Sequence, residues 1–516
     1  MTRTRAVRAM LRASGRRPVS WADRYTAGFT AGMLALLVFQ PVADLLATIG
    51  GQAADPSRIG AGLALLALGY AGYLAAARAL GPVALPAPDA AWLLLSPLPR
   101  RAVLARTATI LLVVAVVAGA GAGLALLAVL GAPGDLVPRL VIATLLGVSA
   151  AVGGMALAVL AQSSQTWDAW LQGAISVTVV LAVVAALLGA GAGRHLLVTA
   201  AHAPPAVGSA IAATCGAVAA LLVRLAWSAL GRIHARSLLA AATRFGGVAG
   251  AVTGLDPSLL TWIAEDNHWR ARVLRSRPWP APLSRRARAR HTVLSRLPAA
   301  PTGPLALAWQ DWRRLGRRPG RLSVMLGSAA LPALAAQAAG GFGPVAVAVL
   351  GIGAFAVAAS CCTGERRDAD DPGMARLIGV GARAARAARA VLPMLVSAAW
   401  LTVALAVPAT FGLLPGGWWP LGPLCAPAMA AGALRLARRP PVDHSLPVLD
   451  TMGGAVPLGL VLWACTGADL AALGSLPLLS ALAAGAADPG PVLAAQAVCG
   501  VAVLVLFLLR APRRRA

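Results

Sequence analysis

Long apolar runs separated by arginine-bearing gaps are the feature that most constrains the fold of this chain. Of its 516 residues, 59% are hydrophobic and 12% are charged. The apolar residues gather in continuous stretches of about 20, and one such stretch crosses the roughly 30 Å hydrocarbon core as an α-helix. A membrane β-barrel would need short segments of alternating apolar and polar residues instead. The sequence therefore predicts an all-α, polytopic membrane protein.

The apolar runs predict about twelve transmembrane helices in two six-helix halves. The first six runs are Thr26–Ile49, Ile59–Leu80, Thr107–Leu130, Arg139–Gln162, Gly173–Gly191 and Pro205–Leu230. The second six are Leu322–Gly340, Pro344–Cys362, Ala390–Leu414, Trp418–Leu436, Pro447–Gly467 and Pro489–Leu509. The predicted domains are a basic N-terminal tail at 1–25, the first half at 26–230, an Arg- and Pro-rich connector at 231–321, the second half at 322–510 and a basic tail at 511–516.

The arginines supply an independent test of this topology. The chain has no lysine, and 42 of its 45 arginines fall in the termini and in alternate gaps between runs. Only Arg58, Arg139 and Arg194 fall on the opposite side. Because cytoplasmic loops carry the excess of basic residues in membrane proteins, this division predicts that both termini and the connector are cytoplasmic.

The net charge of +27 has the same explanation. Orientation in the membrane and attraction to anionic lipid account for it, and no basic stretch is interleaved with base-stacking aromatic residues, so we expect no nucleic-acid partner. The six cysteines show no CxxC spacing and the six histidines are scattered, so we predict neither a metal site nor a cofactor.

Short repeated motifs support a duplication of two halves in the same orientation. Trp21 and Asp23 precede the first run, as Trp309 and Asp311 precede the seventh. After the second run Asp89 is followed twelve residues later by Arg101, and after the eighth run Asp371 is followed twelve residues later by Arg383. Matching motifs at matching topological positions are typical of internal repeats.

The chain cannot supply ATPase activity of the P-loop type. That site needs a lysine to bind the terminal phosphates, and this chain has none. We therefore predict that the protein is not itself an ATPase, and that any such motor is a separate polypeptide.

Ion-coupled transport and chemistry on a lipid-linked substrate both require ionisable groups in suitable places. Asp44 is the one acidic residue well inside an apolar run, and Asp450 lies just inside the eleventh. Asp368, Asp370 and Asp371 lie close together but are mixed with Glu365, Arg366 and Arg367, and we expect this stretch to form a charge-balanced cytoplasmic surface instead of a metal site.

The most distinctive local pattern follows the second run. Residues 88–101 read PDAAWLLLSPLPRR: an acidic residue opens a short apolar helix, prolines end it, and a pair of arginines leads into the next run. This segment resembles the cytoplasmic loop between the second and third helices of ABC-2-type exporter permeases. In the second half, Asp371 and Arg383 align with it, but the apolar trio and the prolines are replaced.

The resemblance implies a fused twelve-helix permease like those of high-GC actinobacteria, placed in a bacterial plasma membrane. It implies that Asp89, Arg100 and Arg101, with Asp371 and Arg383 in the second half, couple the permease to two cytoplasmic ATPase subunits. It also suggests that the stretch Asp469–Asp488 re-enters the outer leaflet. The nearly charge-free spans favour an amphipathic or lipid-like substrate. Two alternatives stay open, an ion-coupled twelve-helix carrier and a membrane assembly protein without transport activity.

Overall fold

The computed structural model describes residues 55–85, 90, 99–131, 136–191, 193–243, 303–317, 319–371, 379–440, 442–443, 445–451 and 454–510. The chain divides into two compact units, a first unit of Met1–Gly246 and a second unit of Gly247–Ala516. The boundary lies inside the predicted connector. The first predicted run, Thr26–Ile49, lies outside the described residues.

The first unit is built from helices. They are α1 (Pro56–Leu80), α2 (Arg100–Leu130), α3 (Leu136–Ser163), α4 (Gln165–Ala190), α5 (Arg194–Ala201) and α6 (Pro205–Ala229). Helix α2 packs against α3, α1 against α4, and α3 also against α6. Each long helix includes one of the predicted apolar runs, apart from a residue or two at its end.

Glycines allow α2 and α3 to approach closely. A Cβ atom added at Gly119 would lie 2.5 Å from the Cα of Val148, and one at Gly123 would lie 2.5 Å from the carbonyl oxygen of Ala143. A side chain at Gly121, by contrast, would meet open space. Small residues at a helix–helix contact are how membrane helices gain van der Waals packing without a hydrophobic driving force.

The second unit contains ten described helices and a short hairpin. The helices are α7 (Pro304–Gly316), α8 (Pro319–Ser328), α9 (Leu331–Ala339), α10 (Pro344–Ser360), α11 (Thr363–Asp370), α12 (Ala382–Thr410), α13 (Leu421–Ala437), α14 (Leu458–Cys465), α15 (Ala468–Ala483) and α16 (Gly490–Leu509). Strands β1 (Val448–Thr451) and β2 (Gly454–Pro457) form an antiparallel hairpin between α13 and α14.

Helix α13 forms the centre of the second unit. It packs against α10, α12, α15 and α16, and nearly all of its residues are buried. Trp400 of α12 and Trp418, just before α13, are among the largest fully buried side chains around it. The Trp400 indole Nε1 donates a hydrogen bond to Ser328 Oγ at 3.0 Å, which satisfies its polar atom inside the core.

The prediction of one continuous helix over Pro447–Gly467 is wrong. The hairpin occupies the first half of this run, α14 occupies most of the rest, and α14 and α15 are bent by 56° relative to one another. Gly467, with φ of 98°, lies at the bend, and such a backbone conformation strains any residue with a side chain. The stretch Asp469–Asp488 is therefore mostly the helix α15, which forms with α14 a broken span or a re-entrant loop.

Seven of the described helices are long and apolar enough to cross a membrane, and α8 and α9 together form an eighth candidate span at Gly320–Ala339. Two bent pairs, α10–α11 and α14–α15, raise the number to ten. Large apolar side chains on these helices remain exposed, among them Val117 (67%) and Ile352 (71%). Extensive exposed apolar surface suits contact with lipid and does not suit water. The protein is thus an all-α, multi-pass membrane protein, and the full number of twelve spans stays a prediction.

Candidate functional site

The predicted coupling residues of the first unit lie around the beginning of α2. Arg100 is half-buried and its Nη1 donates a hydrogen bond to the carbonyl oxygen of Ile233 at 3.2 Å, while Arg101 is exposed. The buried Ala90 packs in one cluster with Leu104, Leu230 and Ile233. Asp89 lies outside the described residues, as does the intramembrane candidate Asp44.

In the second unit, Asp371 and Arg383 border the segment that joins α11 to α12. Asp371 is exposed at the end of α11, where its backbone N–H donates to the carbonyl oxygen of Arg367. Arg383 lies in the first turn of α12, and its Nη2 donates to the carbonyl oxygen of Leu509 at 3.2 Å. Arg383 therefore contacts the C-terminal end of α16, where a positive charge is stabilised by the helix dipole.

A buried ionic cluster lies close to this segment. Its centre is Arg389 of α12, which is 4% exposed. Arg389 Nη1 bonds Asp311 Oδ1 at 2.7 Å, and its Nε and Nη2 bond the two carboxylate oxygens of Asp368 at 3.0 and 3.2 Å. Two carboxylates thus share one guanidinium, and the contact with Asp368 has the bidentate geometry that arginine favours.

A second ion pair extends the cluster to α13. Glu365 of α11 is 1% exposed, and its Oε1 accepts a hydrogen bond from Arg438 Nε at the C-terminal end of α13. The other oxygen, Oε2, is buried without a hydrogen-bond partner, and so is Nε of Arg386. We call Asp311, Glu365, Asp368, Arg389 and Arg438 the ionic cluster. It connects four helices, α7, α11, α12 and α13.

The sequence of α7 explains why an aspartate enters the core here. Leu307, Asp311 and Leu315 are spaced by four residues, so they lie on one face of the helix, and all three are buried. Trp312 lies on a different face and is exposed. An amphipathic helix that packs its apolar face inward therefore carries Asp311 with it, and the carboxylate requires a buried partner.

Gly364 makes the cluster sterically possible. A Cβ atom added there would lie 2.6 Å from Asp311 Oδ1 and 2.7 Å from Arg389 Cζ. Real Cβ atoms essentially never show contacts this short, so any side chain at this position would push the ion pair apart. The glycine directly before Glu365 thus allows α11 to press against Asp311 and Arg389.

Burial dominates the electrostatics of α7. It raises the pKa of the Asp311 carboxyl above its ordinary value, although the Arg389 guanidinium acts in the opposite direction. Burial, followed by the positive charge of Arg367, lowers the pKa of the Arg314 guanidinium. At Arg389 burial acts against the charged form as well, but the attraction and hydrogen bonds of Asp311 and Asp368 together outweigh it and raise the pKa of the guanidinium.

The expectation of a charge-balanced surface at residues 365–371 is wrong for Glu365 and Asp368, which are buried or largely buried in ion pairs. Asp370 and Asp371 are exposed, as expected. A dense mixture of charges is typical of solvated segments, so composition alone gave no reason to place two of them inside. The four-residue spacing of Leu307, Asp311 and Leu315 was the available signal that a carboxylate faces the core.

The first unit has a more exposed ion pair. Arg78 of α1 bonds both carboxylate oxygens of Asp168 in α4, at 2.7 and 2.8 Å, and Gln172 Oε1 at 2.5 Å. The two charged side chains are 39% and 41% exposed. Within the ranges that the structure describes, no group of three or more His, Cys, Asp or Glu side chains could hold a metal ion.

Helix content and apolar spans define a multi-pass membrane protein. The sequence matches the model of the family of unknown function DUF6297 over residues 55–279 and 283–447. This match covers well over half of the chain, and the protein belongs to the DUF6297 family. No curated protein and no solved structure matches the chain.

Proposed function

We propose that the protein is the membrane-embedded permease subunit of an ATP-driven exporter of the ABC-2 type, acting in a bacterial plasma membrane. Its power comes from two separate ATPase subunits, since a chain without lysine lacks the residue that a P-loop requires. The division into two multi-helix units is compatible with a fused pair of permease halves. The substrate is amphipathic or lipid-like.

The ionic cluster is the observation that carries this proposal. It lies beside the segment 371–389, which aligns with the coupling segment of the first half. Arg389, the last residue of that segment, joins α12 to both α7 and α11 through Asp311 and Asp368. Buried, bidentate ion pairs resist displacement more than exposed ones do. If a partner protein displaced this segment, the ion pairs would thus move several helices together.

Copurification tests this function most directly. The tagged chain, extracted gently from its native membrane, should bring down an ATPase subunit that contains a P-loop. Substitution R101Q should lower the yield of ATPase, because Arg101 is an exposed member of the predicted coupling segment. The matched control is R106Q, which removes another exposed arginine of α2 beyond that segment. Absence of any ATPase from wild-type preparations would contradict the proposal.

A second candidate function has its own supporting observation. Glu365 is almost fully buried, and one of its carboxylate oxygens has no hydrogen-bond partner. Buried carboxylates in multi-pass membrane proteins are candidate positions for a coupling ion in ion-coupled carriers. In sealed vesicles without ATP, a proton gradient should drive uptake of a fluorescent phospholipid analogue if this candidate is right, and E365Q should abolish that uptake.

The same vesicle assay separates all three functions. Flux that requires ATP and a copurified ATPase supports the exporter, and flux that requires only the gradient supports the carrier. A chain that gives no flux under either condition fits the membrane assembly protein. Variant D370N is the matched control for E365Q, because Asp370 lies on the same helix but is exposed.

A further inference from the structure

A cavity of about 210 Å³ lies in the first unit, between α2, α3 and α6. Its wall is formed mainly by apolar side chains, including Leu127, Ile142, Val207 and Ile211. The single charged group in the described part of the wall is the guanidinium of Arg139. A space of this size holds a polyatomic headgroup fragment, since one water needs only about 10–15 Å³ by such a measure.

Arg139 is incompletely paired. Its Nη1 donates to the carbonyl oxygen of Ala201 at 2.5 Å, but its Nε is buried and has no hydrogen-bond partner in the described part of the chain. A buried donor of a charged group that lacks an acceptor is costly. Arginine also remains charged at any physiological pH, so it cannot escape this cost by losing a proton.

The helix ends around the cavity add to the positive potential. Arg139 lies in the first turn of α3, where the helix dipole is positive and disfavours a cation. Pro204, the N-cap residue of α6, also lines the cavity and offers no side-chain acceptor to the first-turn amides. No described residue of the wall is acidic. The cavity therefore favours an anion from outside the described protein.

The surface around the cavity identifies the class of that anion. Val207 and Ile211 line the cavity and are also 48% and 52% exposed, so the cavity borders an apolar outer surface. Val137 and Val141, on α3 beside Arg139, are exposed as well. In a multi-pass membrane protein such a surface faces acyl chains, and an anion that reaches it must be attached to apolar chains.

We propose that this cavity binds the phosphate headgroup of an anionic phospholipid, with Arg139 contacting the phosphate. The lipid's acyl chains would lie along the exposed face formed by Val207 and Ile211. Basic pockets between transmembrane helices are established binding places for anionic headgroups. This site does not depend on the proposed export function, because a lipid from the surrounding bilayer occupies it whether or not the protein transports anything.

Native mass spectrometry of the full chain in detergent tests the site. The chain is titrated with dioleoyl phosphatidylglycerol, with dioleoyl phosphatidylcholine, or with inorganic phosphate, and bound molecules are counted. We expect wild type to retain one phosphatidylglycerol in preference to phosphatidylcholine. Variant R139Q should bind that phosphatidylglycerol about fivefold more weakly, the loss expected for one basic residue at a headgroup.

The matched control is R194Q. Arg194 is exposed, is predicted to lie on the same side of the membrane and does not line the cavity, so R194Q should bind phosphatidylglycerol like wild type. Variant V207W keeps Arg139 but fills the cavity beside it, and it should also lose the retained lipid. If R139Q does not fold, V207W alone tests whether the cavity binds the phosphatidylglycerol headgroup.

Four results would overturn the proposal. Three of them are equal phosphatidylglycerol binding by wild type and V207W, equal weakening by R139Q and R194Q, and displacement of the lipid by inorganic phosphate at millimolar concentration. The last result would indicate a site for a free anion, with no requirement for acyl chains. Retention of phosphatidylcholine as strongly as phosphatidylglycerol would equally exclude selection for an anionic lipid.

Discussion

The first unit and the second unit both use arginine to join helix ends, but they give it different partners. In the second unit, Arg389 is 4% exposed and contacts two carboxylates. In the first unit, Arg78 contacts one carboxylate and one amide, and its side chain is 39% exposed. Arg100 donates a hydrogen bond to the backbone carbonyl oxygen of Ile233. The ion pairs of Arg389 are thus buried in the second unit, whereas the Arg78–Asp168 pair of the first unit is partly exposed.

This difference shows what holds each predicted coupling segment. Around the beginning of α2, the first unit relies on apolar packing of Val83, Ala90, Leu230 and Ile233. Around the beginning of α12, the second unit relies on buried ion pairs. Apolar packing tolerates sliding of one element over another, whereas a bidentate ion pair has one geometry. We therefore expect the two segments to respond differently to substitution and to a partner.

The largest expected effect comes from R389M. Removing the guanidinium leaves Asp311 and Asp368 without their shared partner in a buried place, which should cost about 3–5 kcal/mol. The equivalent change in the first unit, R78M, should cost only about 0–1 kcal/mol because that pair is half exposed. Thermal unfolding of both variants in detergent measures the difference. Equal losses of stability in R389M and R78M would contradict the comparison between the two units.

G364A tests the packing of the same cluster without removing a charge. The added methyl group would overlap the Asp311–Arg389 contact, and overpacking of this kind costs about 1–3 kcal/mol. The control is G320A, at an exposed glycine where a Cβ meets no atom within 4 Å. We expect G320A to unfold at or above the wild-type temperature. A stable G364A would mean that the cluster can rearrange.

Q496L compares the polar side chains of the two units. Gln496 of α16 is fully buried, accepts from the backbone N–H of Leu478 at 3.1 Å and donates to the carbonyl oxygen of Gly474 at 2.7 Å. The leucine variant removes both of these hydrogen bonds from the core, at a cost of about 1–3 kcal/mol. Q172L, at an exposed position of α4, should cost less. A differential scanning measurement that ranks them in the opposite order would contradict this assignment.

The smallest expected effect is at the beginning of α1. Asp55 caps this helix by accepting hydrogen bonds from the backbone N–H and the hydroxyl of Ser57, at 2.9 and 2.8 Å. D55A should cost about 1 kcal/mol, the usual value of such a cap. Amide exchange at residues 57–60 measures the local loss, and S237A, at an exposed serine elsewhere in the first unit, should leave it unchanged.

The cap also has a defined pH dependence. Hydrogen bonds from Ser57, the hydroxyl first, lower the pKa of the Asp55 carboxyl. Because the lowered value belongs to the folded state, the cap's contribution is complete above the ordinary aspartate pKa and is lost as the pH falls through the folded-state value. Exchange in wild type should approach that of D55A in strong acid. If the difference in amide exchange between wild type and D55A did not change with pH, the Asp55 carboxylate would be excluded as the cap.

Hydropathy predicted most of the fold because lipid demands continuous apolar helices, and this demand is visible residue by residue. The hairpin was missed for the same reason. Val448, Leu449 and Val456 make that stretch apolar enough to pass for a span, although Thr451 pairs with Gly454 in the register of a hairpin. The composition of an apolar run does not show whether the run forms a strand or a helix.

The candidate site was less accessible from the sequence. The membership of Glu365 and Asp368 in buried ion pairs depends on Arg438 and Arg389, which are distant in the chain, and on Gly364, whose missing side chain makes room for them. Partners that are distant in the chain produce no periodic pattern in the sequence. Asp311 differs from these two carboxylates, because its four-residue spacing from Leu307 and Leu315 is a local signal, although no prediction was made from it.

The buried helix α13 has a further consequence for any solute that passes through the second unit. Its backbone amides and carbonyls are occupied by one another along the helix, and the groups around it are mostly methyl, methylene and thiol. A hydrated solute moving lengthwise through this region would shed its water and find nothing to replace it. The middle of the second unit is therefore an apolar barrier, and a polar molecule would have to pass around it.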